Sequence, residues 1–119
     1  MTIGFKLIIA ERKRQIESEG YTAEHDSQYK CDELFIAGCC YHSAQRFREN
    51  SLVDSETLPL SWPFLRSVWK PSPDNRVKEL TKAGALLQAH VDLSGSELAT
   101  QMVEICAKEI DELLKLKEL

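Results

Sequence analysis

No stretch of this chain approaches the roughly 18 consecutive apolar residues that a membrane-spanning helix needs. The short apolar run inside MTIGFKLIIAERKR meets charge at once, which does not suit a secretory signal peptide. There is no basic excess: 15 Lys and Arg stand against 19 Asp and Glu. A protein that grips bulk nucleic acid by displacing counterions needs the opposite balance. Most of the negative charge lies from Glu97 onward, and the first 96 residues are close to neutral. The four cysteines, Cys31, Cys39, Cys40 and Cys106, form no CxxC pair. They read as reduced core residues of a cytoplasmic protein rather than a disulfide framework or zinc site, and His25, His42 and His90 share no ligand spacing. P-loop, GxGxxG and nucleophile motifs are also missing, as are internal repeats.

What is present is a length of 119 residues, 43% hydrophobic and 29% charged. That is the balance of one globular domain spanning 1–119. Helical periodicity recurs four times, and no run carries the turn signals of a strand. The expected fold is all-α, a four-helix, bundle-like single domain. Helix one should run from Ile3 to Ser18, stopped by Gly20. Helix two, from Asp32 to Arg48, is apolar on more than one side and reads as the central helix. Gly38 in its interior implies a close approach by another helix or a ligand. Helix three should start with Ser72 as its cap and Pro73 in its first turn. Helix four should open on a capping box, Ser94 to Glu97.

Between helices two and three lies a long Trp/Pro-rich loop, Asn50 to Ser72, with one helical turn possible over Pro63 to Val68. It holds Trp62, Phe64, Leu65 and Trp69, which are too apolar for a solvated linker and must pack on the bundle, a ligand or another subunit. A protein–protein inhibitor using this loop is one reading. Trp69, Lys70 and Arg76 at the following helix start suggest a second. An aromatic stacks on a base, cations neutralise phosphate, and a helix N-terminus adds free N–H groups. Upstream, Glu11, Arg12, Arg14 and Gln15 either form a solvated helix face or line a polar pocket. Glu24, His25, Asp26 and Tyr29 cluster in the first connection, where Asp26 or Thr22 could cap helix two and His25 could contact a ligand.

Three stretches, ERKRQIESEGYTAEHDSQY, DELFIAGCCY and WKPSPDNRVKELTKAGALLQAH, resemble a family of small proteins carried by bacteriophages and prophages. The resemblance spans about three-quarters of the chain and stops before Ser94. It implies a phage accessory protein acting in the host cytoplasm. Combined with the residue types, it leads to the expectation of a nucleotide-binding, anti-defence protein that sequesters a nucleotide immune signal without turnover. The candidate ligand-binding residues are Arg12, Arg14, His25, Asp26, Tyr29, Trp69, Lys70 and Arg76, with no cofactor. A weaker likeness is to the all-α, MazG-like NTP pyrophosphohydrolases, which hold Mg²⁺ on paired carboxylates. This chain departs from them, since helices two and three carry no ExxE pair and Glu109–Glu112 is the one such spacing. Glu11, Glu33 and Glu79 would have to assemble the metal site one acid per helix. The apolar stripe of helix four, Leu98, Met102, Ile105, Ile110, Leu113 and Leu116, leads to the expectation of a homodimer with the ligand site near the subunit boundary.

Overall fold

The computed structural model describes residues 1–19, 32–50 and 58–117. Within them the chain is all-α, with no strand. Helix α1 covers Ile3–Glu19, α2 Glu33–Asn50, α3 Arg76–Ser94 and α4 Glu97–Lys117, with one 3₁₀ turn at Arg66–Val68. The four pack as a bundle-like domain. The central helix is α3 rather than α2, because α3 packs against each of the other three. Its middle explains why. Leu80, Ala83, Gly84, Ala85, Leu86, Leu87 and Ala89 are all buried, so the helix is small and apolar all round. Helix α2 leaves Gln45, Arg46 and Phe47 exposed, which an innermost helix could not do.

Glycines mark two of the crossings. A Cβ on Gly38 would sit 2.7 Å from Leu87 Cγ, so the close approach expected there is made by α3. A Cβ on Gly84 would sit 2.5 Å from Ile8 Cδ1, which lets α1 settle onto α3.

The helix ends are shifted from the sequence reading. Asn75, not Ser72, caps α3: its side chain accepts the Lys78 N–H at 3.0 Å. Ser72 instead gives its own N–H to Glu79 Oε2, 3.0 Å away. Gly95 closes α3 in the left-handed conformation (φ 66°), and the cap of α4 is Ser96, whose Oγ accepts from Ala99 N at 3.1 Å. Two residues therefore turn α3 into an antiparallel neighbour. The N-terminus of α1 borrows its cap from α4, where Asp111 Oδ1 accepts the Gly4 N–H at 2.7 Å.

The described part of the long loop, 58–75, is strapped to α2 and α3. Trp62 and Trp69 are each 9% exposed and pack around Tyr41. Trp69 stacks on the Tyr41 ring at 4.7 Å, and Trp62 meets both rings edge-on. The Tyr41 hydroxyl accepts the Lys70 N–H at 3.0 Å. Below this aromatic layer sits Glu79, 0% exposed. Arg48 grips both its oxygens, at 2.6 and 2.9 Å, and Arg76 approaches at 3.4 Å. Glu79 thus joins α2, α3 and the loop in one buried, charge-assisted knot.

A cationic cavity with an aromatic wall

A cavity of about 750 Å³ opens where α1, α2, α3 and the loop meet. Each element presents one face to it. Helix α1 supplies Glu11, Arg14 and Gln15, which share a face at i, i+3, i+4 spacing. Helix α3 supplies Lys78, Lys82 and Leu86, one residue per turn. Leu34 and Tyr41 come from α2, and Trp62, Phe64, Leu65, Val68 and Lys70 from the loop. The walls are mainly aromatic and aliphatic. The polar groups are four cations, one carboxylate and one amide.

Arg14 forms a fork with Glu11, Nε to Oε1 at 2.7 Å and Nη2 to Oε2 at 2.8 Å. Burial pushes the Glu11 carboxyl up, but Arg14, Gln15 and the charge of Lys82 together outweigh it and leave the acid below its usual range. Lys82 moves down. Partial burial is the main cause, and the like charges of Lys78 and Arg14 outweigh the opposing pull of Glu11 and Glu79. Its ammonium donates to the Lys70 carbonyl at 2.7 Å and lies 5.6 Å from the Tyr41 ring centre. Among the described residues, no hydrogen bond or ion pair engages the ammonium groups of Lys70 or Lys78. With Glu11 matched to Arg14, three lysines remain to meet an anion.

Of the sequence candidates, Arg14 and Lys70 line this cavity. Trp69 lies behind the wall, stacked on Tyr41, and is not itself a lining residue. Arg12 is buried and reaches Asp92 at 3.4 Å, so it ties α1 to α3. Arg76 also faces away from the cavity. It donates to the main-chain carbonyls of Tyr41, at 3.0 Å, and His42, fastening α2 to the start of α3. Arg76→Ala should therefore lower unfolding stability by about 1–3 kcal/mol in urea titrations while leaving ligand affinity unchanged. His25, Asp26 and Tyr29, with Glu24 beside them, lie outside the described residues.

The acids of the magnesium alternative do not converge. Glu79 is enclosed by Arg48, Arg76 and Ser72, and Glu11 is held by Arg14. No three His, Cys, Asp or Glu side chains among the described residues come together as a metal group. Cys40 and Cys106 are buried, and burial first of all pushes the Cys106 thiol up to about 12, so it stays a neutral core group. The described part of the Trp-rich loop turns its tryptophans inward and leaves Leu60 and Leu65 exposed.

Trp62, Phe64 and Leu65 are expected from the sequence to pack on the bundle, a ligand or another subunit, and the lining residues given no ligand role there are Leu34, Tyr41, Val68, Leu86, Lys78 and Lys82. For the last two a signal existed, because lysines at i, i+4 followed by Leu86 make a helix face both cationic and apolar. Residues far apart in the chain meet at this cavity: Glu11, Arg14 and Gln15, then Leu34 and Tyr41, then Lys70, Lys78, Lys82 and Leu86. No helix among the described residues is long and apolar enough to cross a membrane. No protein-family model matches this chain, and no curated protein or solved structure is similar to it at a significant level.

Proposed function

We propose that this is a phage-type protein that binds a nucleotide in the cavity and holds it without turnover, in the manner of a sponge for a nucleotide immune signal in the host cytoplasm. The observation that supports this most is the composition of the cavity: Arg14, Lys70, Lys78 and Lys82 gathered on an aromatic wall, in a chain of net charge −4. A nucleotide joins a flat apolar ring to anionic phosphate and so matches both halves. A cavity of this size also suits a ligand larger than a phosphate ion. The test is thermal shift of the whole chain against linear and cyclic nucleotides, followed by recovery of the ligand. Stabilisation with intact ligand recovered supports the reading. Pyrophosphate release with Mg²⁺ would replace it with the hydrolase, and the absence of any shift would sink both.

A homodimer belongs to the same proposal. The stripe of α4 divides in the fold: Ile110 enters the core, while Leu98, Ile105 and Leu116 stay exposed and available to a second copy. The cavity takes no described residue from α4. Light scattering at micromolar concentration should give twice 13.6 kDa, and the monomer mass would remove the dimer without touching the nucleotide site.

A further inference from the structure

Gln15 lines the cavity, and one of its polar atoms is buried with no partner among the described residues. Gln15 is only 4% exposed. Its Nε2 donates to Glu11 Oε2 at 3.2 Å, and its carbonyl Oε1 is buried without a hydrogen bond. Swapping the amide would set that carbonyl against the Glu11 carboxylate, so the orphan is the acceptor. A buried acceptor left unpaired costs roughly 1–3 kcal/mol. Glu11 beside it is also not saturated. Two Arg14 contacts and one from Gln15 occupy three of the about four lone-pair sites of a carboxylate.

We infer that Glu11 and Gln15 read the base, and that the nucleotide is a guanine nucleotide. The inference rests on the nucleotide reading of the cavity and narrows it. Two neighbouring acceptors on α1 call for two neighbouring donors. Guanine offers them on one edge, its ring N1–H and its 2-amino group. Adenine places a ring-nitrogen lone pair beside its amino group, and that lone pair would face an ionised carboxylate. The lowered pKa of Glu11 keeps the acid charged at neutral pH. The phosphates then fall to Lys70, Lys78 and Lys82, supplied by the loop and α3. Satisfying the orphan acceptor is an interaction that phosphate alone cannot make.

Calorimetry on the full chain with GDP, IDP, ADP and tripolyphosphate tests this. IDP lacks the 2-amino group and keeps the N1–H. GDP should bind about tenfold more tightly than IDP, the value of one hydrogen bond to a buried group, and more tightly still than ADP. In Gln15→Met, of similar volume, GDP and IDP should become equal. The GDP-to-IDP ratio in the unaltered protein needs no variant, so poor folding of Gln15→Met leaves the test standing. Equal binding of GDP and ADP, or tripolyphosphate binding as well as GDP, overturns the base assignment and leaves an anion site. Failure of all four to bind removes the nucleotide reading and this inference with it.

Discussion

Arg48→Met should lower the unfolding free energy by about 3 kcal/mol, measured by urea denaturation with tryptophan fluorescence. Arg48 makes both of the short bonds to Glu79, 2.6 and 2.9 Å, and Glu79 is 0% exposed. Removing the guanidinium leaves a carboxylate in the interior without its main counter-charge, and breaking a buried pair in this way typically costs about 3–5 kcal/mol. Arg76 at 3.4 Å and the Ser72 N–H remain, which sets the expectation at the lower end. Against a total stability of about 5–15 kcal/mol for a domain, the loss is large. The double change of Arg48→Met with Glu79→Gln should recover part of it, because no unpaired charge then stays buried. A loss below about 0.5 kcal/mol would mean that water reaches Glu79.

Lys82→Met should weaken binding of the best nucleotide by roughly 10- to 100-fold, the value of one charge-assisted contact to phosphate. Wild-type affinity should also fall as pH rises, beginning below the ordinary lysine range, because the amine of Lys82 gives up its proton early. The sign for stability is the reverse. With the folded-state pKa lowered, the unfolded chain binds more protons between the lowered and the ordinary value. The Lys82 contribution to stability therefore improves with pH across that window. Lys82→Met should lose both trends relative to wild type. Calorimetric affinity and urea midpoints measured from neutral to alkaline pH separate them. An affinity that is flat with pH in the wild type would place Lys82 outside the site.

Local signals made the helices legible. Periodic apolar residues located all four, and Gly38 announced its crossing before the partner was known. The centre of the bundle was harder to read. Helix α2 is apolar on several sides because the loop covers part of it: Tyr41 lies under Trp69, and Cys40 lies beside Ser61. A sequence cannot distinguish cover by a helix from cover by a loop. The cavity was half legible for the same reason. Arg14 and Lys70 could be named because cations near aromatics suggest phosphate. Arg12 and Arg76 carry the same charge and sit beside them in the chain, yet each is committed to a tertiary partner. Arg12 differs from Arg14 by two positions, which on a helix is enough to turn a side chain from the cavity to Asp92. Glu79 reads in the sequence as a candidate magnesium ligand, and nothing local shows that Arg48, 31 residues earlier, would close on it.

The knot at Glu79 has a kinetic consequence. It holds the loop at Ser72 by the same carboxylate that locks α2 to α3, while Lys82 and the Tyr41 hydroxyl hold it at Lys70. Swinging the strap away would break the Ser72 bond to Glu79 and both bonds at Lys70, so the strap is held against opening. Where 58–75 forms the wall, the cavity is open without a ligand, and the proposed nucleotide would cost little ordering entropy there on binding. If the nucleotide proposal holds, entry past that wall should be set by diffusion and by the local field of three lysines. A nucleotide should then associate at a rate that falls as ionic strength rises, rather than at one set by the opening of a lid.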